Sequence, residues 1–180
     1  SNGLPPTSGE VVVFGGTDKA VGNTIFDVAP FTGELTNGVN GTATSYDVES
    51  ETLGQTETIR FSRAVEVGLE LSIDLRTDGT YEGDTEVKNA LVDLIGGEDT
   101  NGDETIGQSA INQPTYLQTI EDSVIGDELG VIGVASMTAD KDGDGTDDRT
   151  IVNGLEAIEV ASGEILQLNA SDITVTTTEI

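Results

Sequence analysis

From Val65 to Leu75 the chain alternates without a break. Val65, Val67, Leu69, Leu71, Ile73 and Leu75 are apolar, while Glu66, Gly68, Glu70, Ser72 and Asp74 between them are not. Alternate side chains leave opposite faces of a pleat, so this period of two predicts a half-buried β-strand. A second pattern follows it. Val87, Ala90, Leu91, Leu94 and Ile95 fall at i, i+3, i+4, i+7 and i+8, which predicts a helix with one apolar face. With Asp78-Gly79 as the turn between them, the sheet face and the helix face are expected to cover each other.

Upstream, residues 1–8 are turn formers and predict an extended entry. Glu10 to Phe14 is a valine-rich strand closed by Gly15-Gly16. A helix is expected from Asp18 to Ala29, capped by Thr17 or Asp18, with Val21, Ile25, Val28 and Ala29 inward and Pro30 as its stop. Gly22 inside it costs roughly 1 kcal/mol relative to alanine, so this helix must depend on packing. Residues 32–41 carry Gly33, Asn37-Gly38 and Asn40-Gly41 and predict a loop. Two strands follow, 42–48 and 56–61, around a polar turn at 49–55. This first unit is β-α-β-β.

Downstream of the alternating strand and its helix, residues 97–107 form an acidic insertion. A helix starting near Pro114, a favoured first-turn residue, would turn Leu117, Ile120 and Val124 inward and end at Gly126. Strands at 129–137 and 151–160 are expected to form a hairpin with a long acidic tip at 139–150. Residues 162–169 predict a turn, and 173–178 a threonine-rich edge strand. The second unit is β-α-α-β-β-β. The expected fold class is α+β: two small tandem α/β sandwiches, residues 1–63 and 64–180, with the seam near Arg63-Ala64. No repeat of solenoid period is present.

Charge changes the picture most. The chain has 34 acidic and 7 basic residues in 180, a net charge of −27. The acids are spread through every segment, which suits a folded protein working in molar salt, where the Debye length is only ~3 Å and like charges are screened. A halophilic source is the expectation. The same charge lacks the basic footprint that nucleic-acid binding needs. Cysteine and histidine are absent, which excludes disulfides, thiolate chemistry, imidazole catalysis and the usual zinc and copper sites. No run of 18 apolar residues exists to form a membrane-spanning helix, and no membrane partner is expected. The opening Ser1-Asn2, without Met, leads us to expect part of a longer polypeptide or a processed product.

The sharpest chemical motif is Asp140-Lys141-Asp142-Gly143-Asp144-Gly145-Thr146-Asp147-Asp148. It matches the first half of a calcium loop, with carboxylates at positions 1, 3, 5 and 9 and glycine at 6. Asp140, Asp142, Asp144 and Asp148 are therefore the candidate ligands, and calcium the candidate ion. Position 12, which should be a bidentate acid, is Ile151. The competing reading is an Asp/Gly hairpin tip. Asp99-Thr100-Asn101-Gly102-Asp103-Glu104 is a weaker version of the same pattern, read as a solvated loop. Gly15-Gly16 before a helix lacks any nucleotide fingerprint and reads as a tight turn. With no histidine or cysteine and no serine in a nucleophile motif, an enzyme is not expected.

Several landmarks come in a familiar order. Gly3-Leu4-Pro5-Pro6, Glu10-Val11-Val12-Val13, Gly15-Gly16 and Ile25-Phe26-Asp27-Val28-Ala29-Pro30 lead to Thr58-Ile59-Arg60-Phe61-Ser62-Arg63 and the alternating strand 65–75. Helices at 87–95 and 116–124 follow, then Ile158-Glu159-Val160-Ala161-Ser162-Gly163-Glu164-Ile165 and Ile173-Thr174-Val175. This series resembles the C-terminal domains of the baseplate J-like proteins of contractile phage tails. Ala64 departs from it, standing where a proline is expected, and both acidic loops are longer than the pattern needs. The resemblance implies a non-enzymatic structural subunit of the baseplate wedge, located in the virion tail. Copies of it would ring the central hub, with other baseplate and tail proteins as partners, and link the hub to the sheath and outer parts. Together with the acidity it implies a tailed virus of a halophilic archaeon, or a related contractile injection system, whose assembly needs high salt. The alternative is a calcium-binding module of a secreted or cell-surface halophilic protein.

Overall fold

In the computed structural model, which describes residue 4 and residues 7–28, 34–49, 54–126, 128–152 and 155–180, small mixed sheets carry helices on their faces in an α+β fold. The chain divides into two units, Ser1–Val65 with Ala161–Glu164, and Glu66–Val160 with Ile165–Ile180. The sequence predicts a single cut near Arg63-Ala64. The structure adds a late excursion, residues 161–164, to the first unit.

The first unit contains β1 (Ser8–Glu10), β2 (Val12–Val13), α1 (Asp18–Val28), β3 (Glu34–Thr36), β4 (Thr42–Glu49) and β5 (Thr56–Arg63). β5 is central, antiparallel to β4 along its whole length and parallel to β2 through Val12↔Ser62 and Val13↔Arg63. The valine-rich run 10–14 is not one strand. It breaks at Val11, whose carbonyl accepts the Ser62 N–H (2.8 Å). β3 lies inside the stretch predicted as loop, pairing in parallel with β1. Its turn-rich flanks hid it, and backbone pairing with β1 recruits it.

The core of this unit is small: Ile25, Val48, Ile59 and Phe61, with Val11, Val13, Val21, Phe26, Leu35 and Tyr46 packed against it. Thr17 caps α1, its hydroxyl accepting the Ala20 N–H (3.2 Å). The predicted stripe holds at Ile25 but fails at Val28, which is 69% exposed. Ala29 and Pro30 lie outside the described residues. Gly22 is itself buried, because a Cβ there would lie 2.9 Å from the Cβ and Cδ1 of Tyr46 on β4. The residue that weakens the isolated helix is the one that lets it sit down on the sheet.

The second unit contains β6 (Val65–Thr77), α2 (Asp84–Ile95), β7 (Gly97–Glu98), β8 (Glu104–Thr105), β9 (Thr115–Tyr116), α3 (Leu117–Val124), β10 (Val131–Lys141), β11 (Arg149–Val152), β12 (Leu155–Ile158), β13 (Glu164–Gln167) and β14 (Ile173–Glu179), with only the first residues of β6 and β13 falling to the first unit. β6 is the middle of a four-stranded sheet, with antiparallel β10 on one side and β13 and parallel β14 on the other. Leu69, Leu71, Ile73 and Leu75 are all buried, as the period of two requires, but Val65 is 43% exposed and Val67 half-buried, so the covered row begins at Leu69. They share one core with Val87, Leu91, Val92 and Ile95 of α2 and Leu117, Ile120 and Val124 of α3. Each such side chain contributes about 1.5–3 kcal/mol when fully buried. Ala90 and Leu94 are only half-buried, while Val92 is fully buried. The buried face of α2 is therefore turned toward Val92, because α3 packs beside it.

Several downstream expectations change. Pro114 precedes β9 rather than opening a helix, since Thr115 and Tyr116 pair with Ile158 and Ala157 first. The predicted strand 151–160 is the hairpin β11–β12, and β10 pairs with β6 instead of closing a hairpin with it. The acidic stretch 139–150 thus connects two different sheets, and β10 runs into it as far as Lys141. Residues 164–167, predicted as turn, form β13, and the insertion 97–107 is pinned by the short β7–β8 pair.

Gly22→Ala should lower the melting temperature, reversing the gain of about 1 kcal/mol that this change brings to an open helix. Thermal unfolding followed by circular dichroism in molar KCl checks the sign, and a rise in melting temperature would show that Tyr46 yields freely.

Candidate functional site

The predicted calcium loop has one arm on a strand. Asp140 and Lys141 are the last residues of β10, where Asp140 faces Glu70 of β6 in the ladder. The chain then turns at Asp142, whose φ of +81° is unusual for a residue with a side chain. Its N–H donates to the Gly68 carbonyl (3.0 Å), holding the turn against β6. Asp148 returns: its N–H donates to the Ala139 carbonyl (3.0 Å) and its Oδ2 accepts the Lys141 N–H (2.9 Å). Arg149 closes the base of the loop, donating to both oxygens of Asp147 and to the Met137 carbonyl on β10 (3.0 Å). Those hydrogen bonds from Arg149 hold the Asp147 carboxyl below the ordinary aspartate range.

Of the four candidate ligands, the structure brings three together. Asp140, Asp142 and Asp148 each offer an oxygen, and these lie within 4.8 Å of one another. Two oxygens on opposite sides of a calcium ion, each at about 2.4 Å, stand about 4.8 Å apart, so the cluster has the size of a calcium shell. Asp140 Oδ2 accepts the Gly145 N–H (2.6 Å), whereas its Oδ1 is buried with no hydrogen-bond partner among the described residues. An uncompensated buried carboxylate oxygen is costly, and a cation is a natural partner for it. Asp144 is not part of the cluster. Its Oδ1 accepts the Thr146 N–H (2.8 Å) in a local turn.

The motif does not point to Glu70. A Cβ placed on Gly143 would sit 3.1 Å from Glu70 Oε1, so this carboxylate already reaches over the loop. It stands 70 positions before Asp140 in the sequence, and only the β6–β10 register brings it there. The weaker acidic motif is self-contained. Asp99 Oδ1 accepts the Asn101 and Asp103 N–H groups (2.7 and 2.9 Å), and these bonds, Asp103 foremost, lower its pKa.

The junction Phe61-Ser62-Arg63 is the other place where chemistry concentrates, and there every group is used. The Phe61 ring is fully buried in the core of the first unit. Ser62, also fully buried, donates to Glu10 Oε1 (2.5 Å) and accepts the Gly38 N–H (2.8 Å). Glu10 in turn accepts the N–H of Val39 (3.0 Å) and both the N–H (3.0 Å) and the side-chain amide (2.6 Å) of Asn40. Arg63 donates to the carbonyls of Gly15 (2.5 Å) and Gly16 (3.0 Å) and to Asp18 Oδ1 (2.5 Å), its guanidinium 5.2 Å from the Phe61 ring centre. Gly15 and Gly16 both have left-handed φ, near +70°, which is how the turn presents its carbonyls to one side chain. Gly163, in the late excursion, has no room for a side chain: a Cβ would collide with the Asn40 carbonyl oxygen.

No protein-family model matches the chain, and no curated protein matches it.

Burial pushes the Glu10 carboxyl up, but the hydrogen bonds from Ser62, Asn40 and Val39 outweigh it and hold the group below its ordinary value. A lowered folded-state pKa stabilises the fold above the unfolded value of about 4.3, and that contribution is lost as pH falls through the folded value. Glu10→Gln should therefore melt below wild type at neutral pH, with the gap closing on acidification. Ser62→Ala should cost roughly 1–3 kcal/mol, because it leaves the half-buried Glu10 carboxylate short of a donor and the Gly38 N–H short of its acceptor. Melting curves of the variants and wild type across pH check both.

Proposed function

We propose that this chain is a structural, non-enzymatic subunit of a contractile-tail baseplate, equivalent to the C-terminal domains of a baseplate J-like wedge protein. The observation that carries this reading is the use made of Phe61-Ser62-Arg63. This stretch of the resemblance spends its side-chain polar groups on holding the first unit together, and it leads directly into the long strand β6. Gly163, from a later stretch of the same series, is likewise required by packing against Asn40. Two tandem α+β units suit a part whose work is to hold shape and be gripped by neighbours. At a net charge of −27, assembly with copies and with hub and sheath proteins requires high salt. The proposed setting is a tailed virus of a halophilic archaeon or a related injection system.

Peptide-resolved mass spectrometry on purified particles and on the envelope of the producing cells tests this. The expected outcome is co-purification with tail particles in fixed ratio to hub and sheath, with particles falling apart at low salt. Recovery from the envelope alone, with release by a chelator, would overturn it.

A second reading, a calcium-binding module, is favoured by one observation: the buried Asp140 Oδ1, with no partner among the described residues, at the meeting point of three carboxylates. Here Asp140, Asp142 and Asp148 would hold the ion. Calcium at 100 times its Kd would stabilise the fold by about 2.7 kcal/mol. Added at constant molar KCl, it should raise the melting temperature of wild type and of Asp144→Asn by several degrees, and leave Asp140→Asn unmoved. Equal behaviour of all three would remove the site.

A further inference from the structure

The four-stranded sheet of the second unit has two sides that are built differently. β10 carries two register shifts, between Val131 and Gly133 and between Val134 and Ser136, and ends in Asp140-Lys141. Bulges and charges are devices that keep an edge strand from pairing with another chain. β14, on the far side of β6, runs from Ile173↔Leu71 to Glu179↔Thr77 without a shift. Among the described residues no other strand pairs with it. Its first six residues, Ile173-Thr174-Val175-Thr176-Thr177-Thr178, are all β-branched and uncharged. High β propensity, no charge, no proline and no glycine are together the signature of a strand that accepts another.

The phase of the ladder says which groups are free. The Ile180 N–H donates to the Thr77 carbonyl (3.1 Å), and Thr77 is the Cα partner of Glu179. In a parallel pair this turns the backbone groups of Thr174, Thr176 and Thr178 toward β6, and those of Val175 and Thr177 outward. We infer that this edge pairs with the same edge of a second copy, antiparallel, about a two-fold axis at Thr176. Such an interface is self-complementary. It sets Val175 against Thr177 of the second copy, and Ile173 against Glu179, so no carboxylate of the strand faces another. At −27 per copy, repulsion is the chief obstacle to self-association, and it is smallest along an uncharged strand. In molar salt the Debye length of ~3 Å is shorter than the ~4.8 Å between paired strands, so charges farther away contribute little. The inference is independent of the tail assembly proposed above, since it uses only this edge and its charge.

The chain has no cysteine, which makes the test clean. In the paired register the two Thr176 residues form a non-hydrogen-bonded pair with Cβ atoms about 4.5–5.5 Å apart, close to disulfide reach. Thr176→Cys, oxidised mildly in molar KCl, should give a disulfide-linked dimer on a non-reducing gel. Thr174→Cys, which faces Thr178 of the second copy, should not. Adding Thr177→Pro to Thr176→Cys removes one outward N–H, a change an edge strand tolerates, and should abolish the cross-link with the circular dichroism unchanged. Wild type should sediment as a dimer at high micromolar concentration. A wild-type monomer under those conditions, or equal cross-linking of the two cysteine variants, would overturn the inference.

Discussion

The burial of one alternating row organises the second unit. Leu69, Leu71, Ile73 and Leu75 leave β6 on one face and meet Leu91, Val92 and Ile95 of α2, while Glu66, Glu70 and Ser72 on the other face stay exposed. A one-residue slip of β6 would turn the whole set outward, so register is strongly held. Everything laid against β6 inherits that register. β10 delivers Asp140 opposite Glu70, and β14 brings its threonine run to the open side. In a chain with only 35% apolar residues, concentrating the core behind one strand leaves the remaining surface free for carboxylate.

That carboxylate is not all solvated surface. Glu10 gathers donors from Ser62, Val39 and Asn40, Asp99 closes its own turn, and Asp147 holds Arg149. Each satisfies backbone or side-chain donors and has its pKa lowered by them. The cluster of Asp140, Asp142 and Asp148 differs in kind. There three carboxylates converge, and one buried oxygen has no partner among the described residues. Like charges so close destabilise one another, and a divalent cation would relieve both problems at once.

The first unit has a much thinner core and is held by polar contacts from one short stretch. Phe61, Ser62 and Arg63 lie side by side on β5, yet they point to the core, to Glu10 and Gly38, and to the Gly15-Gly16 turn with α1. Consecutive strand residues face opposite sides, which lets one tripeptide tie down the sheet, the entry strand and the helix start. A motif used this way is fold-forming, and this is what supports the structural role proposed above.

The sequence by itself determined the elements whose signal is local. The strand predicted from the period of two in 65–75, the helix predicted from Val87 to Ile95, and Leu117, Ile120 and Val124 at helical spacing all form where their patterns put them, as does the Thr17 cap, although Val65 stays exposed and Ala90 and Leu94 half-buried. The α+β class follows from these alone. Tertiary structure decided whatever depends on a partner far away in the chain. β3, β9 and β13 are too short to carry a period and exist because another strand offers them backbone groups. Val92 is buried because α3 lies beside α2, and Gly22 is an asset because Tyr46 lies beneath it. The acidic motif was legible as a loop of aspartates, but spacing could not tell that Asp144 would turn back on Thr146 while Glu70 arrived from another strand. Spacing along a chain reports only neighbours in sequence, and strand register sets which carboxylates become neighbours in space.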